Sequence, residues 1–149
     1  MKIIDSRTVV TGEIIVNLRM ETKYLLQVIK EAAFEVRVNL GPGYLESVYQ
    51  NALMIELRDR GIFAEKEIAI PVNYKGEPVG DFRADILVDR KVIIELKAVR
   101  EISPLHKAQL VNYLEATGLD YGYLINYGGD KFRIALKSRV YIPSTKKES

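Results

Sequence analysis

The sequence predicts an α/β fold in which a mixed β-sheet is flanked by helices. Three observations support this prediction. Apolar residues recur with helical spacing as far as residue 60, and then with the two-residue spacing of strands. Two short turns connect the first three β-prone segments, which is typical of an antiparallel meander. A helical segment then leads to two further β-prone segments, as in a crossover connection.

Residues 1–19 differ from the rest and are expected to form an N-terminal extension. Residues 7–10 and 13–16 are short β-prone runs, so a hairpin is one interpretation of this extension. Met20 follows directly, and the alternative is a non-native start, with the native chain beginning at Met20.

Two helices are expected before the sheet. The first starts near Thr22 and stops at the Gly-Pro-Gly sequence of residues 41–43. Its apolar residues recur at steps of three and four: Leu25, Val28, Ile29, Ala32, Val36 and Leu40. The second helix is predicted at residues 44–60, because Gly61 stands where a helix C-cap is expected.

The meander contains three predicted strands, at residues 68–72, 79–88 and 92–98. Pro71 cannot donate a ladder hydrogen bond, so the first strand is expected at an edge of the sheet or at a bulge. Turns are predicted at residues 75–76 and 89–91.

The crossover helix begins at Ser103 and Pro104, because serine is a good N-cap and proline suits the first helical position. It is predicted to end near Ala116. Strands at residues 121–126 and 131–136 complete the sheet.

The bulk composition is that of one ordinary globular domain. The chain has 149 residues, which fits a single core, and we predict the domain at residues 20–141 with a polar tail at residues 142–149. No apolar run approaches the roughly 20 residues of a membrane span, and the start does not resemble a signal peptide. We therefore expect a cytoplasmic protein that does not enter a membrane.

Cysteine and histidine usage limits the possible chemistry. The chain has no cysteine, which excludes disulfides, thiolate zinc sites and a cysteine nucleophile. His106 is its single histidine, so a metal ion would be held mostly by carboxylates, which favours Mg²⁺ or Mn²⁺ over Zn²⁺. The net charge of +2 is too balanced to indicate nucleic-acid binding by itself.

The main candidate site joins Asp85 to the sequence Glu95-Leu96-Lys97. Glu95 and Lys97 share one face of their strand, because side chains alternate. A three-residue turn at residues 89–91 would set Asp85 opposite Glu95, whereas a two-residue turn would separate the two carboxylates. Such loops prefer glycine where Lys91 stands, which counts mildly against this register.

Two carboxylates and a lysine so close together favour a metal site. Like charges repel, more strongly when buried, and a divalent cation removes this conflict. The alternative is a solvated strand face whose ion pairs contribute little. The almost wholly apolar neighbours of Glu95 favour a buried central strand, in which charges need a partner or a purpose.

Polar residues on the helices are the second set of candidates. Gln109 and Tyr113 share a face of the crossover helix, with His106 one turn earlier. The simpler interpretation is that Tyr113 is core and His106 a surface residue. Glu46 lies in the first turn of its helix, where an acidic residue favours the helix dipole whether or not it binds metal.

These motifs together resemble the GxxExxY protein family. They occur in this order: Gly43-x-x-Glu46-x-x-Tyr49, Gly80-Asp-Phe-Arg-Ala-Asp85, Ile94-Glu95-Leu96-Lys97-Ala98, His106-Lys-Ala-Gln109-Leu-Val-Asn-Tyr113-Leu and Gly122-x-Leu-Ile-Asn126-Tyr127-Gly128. Each motif is weakly specific, but their order and spacing over residues 22–141 are specific. The N-terminal extension is not an obvious part of the family pattern.

The resemblance implies a PD-(D/E)XK nuclease-like domain with a restriction-endonuclease-like core. Active-site positions then fall on Glu46, Asp85, Glu95 and Lys97, with Gln109 and Tyr113 matching the Gln-x-x-x-Tyr element of RecB-type nucleases. The expected ligands of Mg²⁺, or Mn²⁺, are Glu46, Asp85, Glu95 and the backbone carbonyl of Leu96.

The expected function is therefore Mg²⁺-dependent hydrolysis of phosphodiester bonds in nucleic acid, DNA rather than RNA, with a homodimer as one possible assembly. Charge alone suggests Lys66, Arg83, Arg100 and Lys107 for backbone contacts. Two alternatives stay open: a catalytically silent nucleic-acid-binding module, and a structural or protein-interaction domain with ion-paired carboxylates.

Overall fold

The computed structural model describes residues 12–139, with side chains from residue 21 onwards. Three helices and five strands follow one another as α1 (Gly12–Leu40), α2 (Glu46–Asp59), β1 (Ala64–Tyr74), β2 (Glu77–Val88), β3 (Val92–Lys97), α3 (Pro104–Thr117), β4 (Tyr121–Asn126) and β5 (Arg133–Ser138). The strands form one sheet in the order β1-β2-β3-β4-β5. Only β3 and β4 pair in parallel. This mixed sheet, with a meander, a crossover helix and two further strands, confirms the predicted α/β fold.

Helices cover both faces of the sheet. One apolar cluster lies between the sheet and the helices α1 and α2, and includes Ile29, Leu53 and Ile94. The other lies under α3 and includes Leu110 and Leu124. Because both faces are covered, β3 is buried at five of its six positions, as its apolar sequence predicts.

The turn between β2 and β3 sets the register of the sheet. Leu87 lies opposite Ile93 and Val88 opposite Val92, so the loop contains three residues, as one interpretation required. The left-handed backbone that such a loop needs is adopted by Asp89 and Arg90. Glycine is therefore not required where Lys91 stands, and the objection to this register disappears.

The start of α1 corrects the hairpin interpretation of the N-terminal extension. Residues 13–16 belong to a 29-residue helix that begins at Gly12, about ten residues before the expected start near Thr22. Their β-branched side chains cost at most about 0.7 kcal/mol each in a helix, and adding residues to an existing helix is cooperative. Residues 7–10 lie outside the described residues, and the expected domain limits stay predictions.

Tyrosine hydroxyls attach α1 to the sheet. Tyr123 donates a hydrogen bond to the backbone carbonyl of Leu26 (2.9 Å), and Tyr127 donates one to that of Ala33 (2.8 Å). Both acceptors lie within the helix, so its position along the sheet is specified by geometry as well as by apolar packing.

The hairpin of β1 and β2 bends at Glu67. Lys66 contacts Asn51 on α2, whereas Ile68 packs into the cluster under α3, although residues two apart in a regular strand share a face. Glu67 lies between them with a φ of 57°, a left-handed backbone that is unusual for a residue other than glycine. The expected edge position of Pro71 is confirmed, since β1 is the first strand of the sheet.

Candidate metal-binding active site

Asp85 and Glu95 meet across the pair β2 and β3. Ile86 pairs with Ile94 in this antiparallel ladder. Asp85 comes directly before Ile86 and Glu95 directly after Ile94, so the two acidic residues lie opposite each other. One Asp85 carboxylate oxygen, Oδ2, accepts a hydrogen bond from the backbone N–H of Leu96 at 2.7 Å. The two carboxyl groups are close enough for each to influence the pKa of the other. The register therefore creates a pair of carboxylates, which elementary electrostatics would keep apart.

Burial intensifies the repulsion between these two groups. Glu95 is only 8% exposed, and its Oε1 atom is buried without a hydrogen-bond partner among the described residues. Burial, followed by the negative charge of Asp85, raises the pKa of Glu95 to about 8. Burial also raises the pKa of Asp85, although the Leu96 N–H and the Lys97 charge oppose this shift. At neutral pH, and without a cation, Glu95 is therefore mainly protonated.

Lys97 supplies positive charge on the same face as Glu95. It is the last residue of β3 and is half-buried, and its charge lowers the pKa of both carboxyl groups. The intervening Leu96 is buried in the opposite cluster, as strand alternation predicts.

The loop after Lys97 is held by residues from the end of β4. Asn126 is 2% exposed, and its side chain donates to the carbonyl of Val99 (2.9 Å) and accepts from the N–H of the same residue (3.1 Å). A Cβ atom at Gly128 would lie 2.3 Å from the carbonyl carbon of Ala98, so only glycine fits there. The Asn126-Tyr127-Gly128 sequence thus fixes the backbone that carries Lys97.

Tyr113 reaches the site from α3. Its ring stacks on Phe82 of the β1–β2 hairpin, with a centroid distance of 3.5 Å and an angle of 7°. Its hydroxyl is near enough to the carboxyl pair that burial, then the charges of Glu95 and Asp85, raise the pKa of Tyr113. Tyr113 therefore lies beside the carboxyl pair, and it also packs against the apolar cluster under α3; its role in the site stays a prediction.

The other two polar residues of the α3 row form no hydrogen bond with the carboxyl pair. Gln109 is exposed and forms no hydrogen bond with a described residue. His106 completes a capping box at the start of α3, where its Nδ1 accepts from the N–H of Ser103 (3.1 Å). This structural use explains His106 without any catalytic role.

Glu46 does not join the carboxyl pair. It is exposed in the first turn of α2, the position that also suits the helix dipole. Over the described part of the chain, no three acidic or histidine side chains are placed so that they could hold a metal ion together. Glu46 would have to approach the pair, directly or through water, to act as a ligand.

The tyrosine of the same motif has a structural role. Tyr49 is fully buried, donates to the carbonyl of Gly41 (2.7 Å) and accepts from the N–H of Tyr44 (3.1 Å). Its ring stacks on Tyr127 at 4.4 Å. It thus fixes the loop from which α2 and Glu46 begin.

Two residues near the site were missed in the sequence. Gln50 is buried on α2 and donates to the backbone carbonyl of Asp85 at 2.8 Å. Its sequence signal is a polar side chain beside the apolar residues Tyr49 and Leu53. Glu67 lies beside Asp85 at the bend of the hairpin, and its charge helps to raise the pKa of Asp85. No sequence pattern indicates a left-handed glutamate, so Glu67 could not have been found.

The donor set fits a hard divalent cation. Mg²⁺ commonly takes one or two protein carboxylates and completes its shell with water and substrate phosphate. Asp85 and Glu95 provide two carboxylates, and Glu95 Oε1 is a buried acceptor without a partner. A cation would relieve the repulsion that otherwise raises the pKa of Glu95.

Comparisons with known proteins identify the family. A sequence model of the PD-(D/E)XK nuclease superfamily matches residues 23–138. A solved structure titled "Crystal structure of SSO0001" is 23% identical, with a TM-score of 0.50. The match covers 64% of this chain and 50% of that one, so this chain spans half the length of that protein, and the likeness concerns the fold alone. No curated protein matches. The narrower GxxExxY assignment stays a prediction, but the chain belongs to the PD-(D/E)XK nuclease superfamily.

Proposed function

We propose that this protein is a Mg²⁺- or Mn²⁺-dependent nuclease of the GxxExxY type that hydrolyses phosphodiester bonds in nucleic acid. One observation carries the proposal. Glu95 is buried against Asp85 with an unpartnered oxygen, an arrangement that costs free energy while both groups are ionised and that a bound cation would relieve. Superfamily membership supports the same reaction class.

Asp85 and Glu95 are the residues that would hold the metal, with the Leu96 carbonyl and a water-linked Glu46 as further ligands. When bound, the cation polarises a phosphoryl oxygen and lowers the pKa of a water molecule. Lys97, on the face of Glu95, orients the attacking water and stabilises negative charge on the phosphate. Gln50 keeps the Asp85 backbone in place through its 2.8 Å hydrogen bond.

Tyr113 acts at the rim of this site. Its hydroxyl lies in the field of both carboxylates, and its ring is fixed by Phe82. It can therefore donate a hydrogen bond to a substrate phosphate or to a carboxylate without reorganising. Gln109, one turn earlier and exposed, is available for the substrate rather than for the metal.

The decisive experiment is cleavage of mixed DNA and RNA substrates with Mg²⁺ or Mn²⁺, comparing the wild type with Asp85→Asn. Asp59→Asn is a matched control, because Asp59 is an exposed carboxylate at the end of α2. We expect cleavage by the wild type and the control, with DNA preferred, and none by Asp85→Asn. Equal cleavage by all three proteins would indicate a contaminating nuclease and contradict the proposal.

A second candidate is a nucleic-acid-binding module without turnover. The separation of Glu46 from the carboxyl pair favours it, since no third acidic side chain joins the pair among the described residues. A wild type that binds nucleic acid but never cleaves it, with unchanged binding in Lys97→Ala, would establish this alternative.

The remaining expectations concern location and assembly. None of the helices in residues 12–139 combines the length and the apolar character that a membrane span requires. A cytoplasmic location and a homodimer belong to the proposal, and sedimentation of the purified protein tests the latter.

A further inference from the structure

Positive charge gathers where the parallel strands β3 and β4 end. Lys97 pairs with Asn126, and Asn126 pairs with Arg133 on the next strand. Each of the three lies two positions along its own strand from Glu95, Leu124 or Ala135, and therefore shares a face with that residue. Because Leu124 and Ala135 pack in the cluster under α3, the three residues project towards the α3 face. Two inter-strand steps separate Lys97 from Arg133, which is roughly 10 Å.

Two loop cations lie beside this row. A Cβ atom built on Gly129 would be 3.1 Å from the carbonyl oxygen of Arg100 and 3.4 Å from that of Lys131, so these two backbones meet at Gly129. Arg37 supports the loop from α1, since its guanidinium donates to the carbonyl of Gly129 at 3.4 Å.

These cations are accessible and unpaired. Arg100, Lys131 and Arg133 are exposed, and none forms an ion pair with a residue in the part of the chain that the structure describes. Elsewhere, arginine side chains do pair with acids: Arg58 with Asp59, Arg60 with Glu56, Arg90 with Glu65 and Arg139 with Asp120. The nearby Glu101 and Asp130 do not balance the cluster, because these two acids stand against four cations when Lys97 is included.

We propose that Arg100, Lys131 and Arg133 form a track that binds the sugar-phosphate backbone of nucleic acid on one side of the cleaved bond, leading from Lys97 towards β5. The inference rests on the proposed function, because the track starts at the catalytic lysine. Unpaired cations at the rim of an acidic metal site have a clear electrostatic use: they attract the polyanion that the two carboxylates would repel. Contacts of this kind position the strand but do not read its sequence.

The structure also distinguishes among the four cations suggested by charge alone. Lys66 contacts Asn51 on the α2 side of the sheet, and Arg83 lies on the hairpin beside the backbone of Glu67. Arg100 belongs to the track, and Lys107 lies in the first turn of α3, at the same end of the sheet.

The test measures binding of a fluorescent DNA strand and its duplex at increasing KCl, with EDTA present to prevent cleavage. One variant carries Arg100→Gln, Lys131→Gln and Arg133→Gln. A control variant carries Lys23→Gln, Lys30→Gln and Lys75→Gln, and thus loses the same charge at exposed positions elsewhere. We expect the track variant to lose roughly 2 to 3 from the slope of log K against log salt, and the control less than about 1.

Equal slopes in the two triple variants would overturn the track. Arg133→Gln alone should lose about 0.7 to 0.9 from the slope, which guards against a folding defect in the triple variant. Asp85→Asn should keep the wild-type slope while abolishing cleavage. If the wild type cleaves but the triple variants bind alike, the track fails and the proposed function stands. If the wild type neither cleaves nor binds, both fail.

Discussion

The candidate site residues on strands differ in burial from Glu46 and Gln109, the candidates on helices. Asp85 and Glu95 lie on neighbouring strands and form a pair in which Glu95 is buried and Asp85 half-buried, whereas Glu46 and Gln109 lie on helices and are exposed. A strand position is determined by turn length and alternation, both of which are local. A helix position over the sheet depends on distant contacts, such as the stacking of Tyr49 on Tyr127. The two strand residues are therefore adjacent in the structure, whereas Glu46 and Gln109 would have to approach them to fulfil the roles proposed for them.

The largest expected effect is the difference between Glu95, on a strand, and Glu46, on a helix. Glu95→Gln removes the negative charge of the buried carboxylate and replaces one of its two oxygens by an amide NH₂, so we expect cleavage to fall by about 10³-fold and Mn²⁺ affinity to fall by at least about 100-fold. Glu46→Gln should weaken Mn²⁺ binding by only about tenfold, because Glu46 would act through water. Calorimetric titration and single-turnover cleavage measure both, with Glu115→Gln, exposed on α3, as the control. Equal losses at Glu46 and Glu95 would show that the helix closes onto the site.

The next effect concerns the support of Lys97. Gly128→Ala places a methyl group 2.3 Å from the carbonyl carbon of Ala98, next to Val99, which the Asn126 side chain holds by a hydrogen bond. We expect a loss of about 3 kcal/mol in the free energy of unfolding. Gly80→Ala is the control, since a Cβ there meets nothing within 4 Å. Urea denaturation gives both values, and similar stabilities would mean that the loop after Lys97 is loosely held.

Stability of the metal-free protein should fall as pH rises. The unfolded chain releases the Glu95 proton near pH 4.5 and the folded chain near pH 8, so between these values the folded state holds more protons. Rising pH therefore favours unfolding, by up to about 1.4 kcal/mol per pH unit in this window. Denaturation in EDTA at several pH values should show this slope in the wild type and lose it in Glu95→Gln.

Adding excess Mg²⁺ provides a second test of the same dependence of stability on pH. The cation binds the ionised carboxylates of the folded state, so it should restore stability mainly at the upper end of the window. A wild-type slope that is unaffected by either Glu95→Gln or Mg²⁺ would contradict the buried carboxyl pair.

The smallest expected effect compares two positions on α3. Tyr113→Phe removes a hydroxyl beside the carboxylates, and we expect about a fivefold lower kcat, the value of one ordinary hydrogen bond. Gln109→Ala should act less on kcat and more on KM, because Gln109 is exposed and is proposed to contact the substrate. Asn112→Ala, exposed on the same helix, serves as the control. A larger loss of kcat at Gln109 than at Tyr113 would reverse the assignment.

Sequence reasoning succeeded where local rules decide the structure. The apolar run around Glu95 predicted a buried central strand, and the three-residue turn predicted the pairing of Leu87 with Ile93. It failed at residues 13–16, where β-prone side chains continue a helix that was already formed.

The remaining features depend on contacts between distant parts of the chain. The left-handed backbone of Glu67 and the burial of Gln50 against Asp85 both arise from packing between elements. Neither has a periodic signal, so the bend of the hairpin and the support of Asp85 became visible only in three dimensions.

The irregular backbone of β1 also hinders aggregation at this edge of the sheet. An outer strand with free N–H and C=O groups is a template for further strands, and hence for aggregation. Along β1, Glu67 turns the backbone, Pro71 lacks an N–H, and the register shifts between Val72 and Asn73. A second molecule therefore could not extend the sheet continuously by adding a strand along β1.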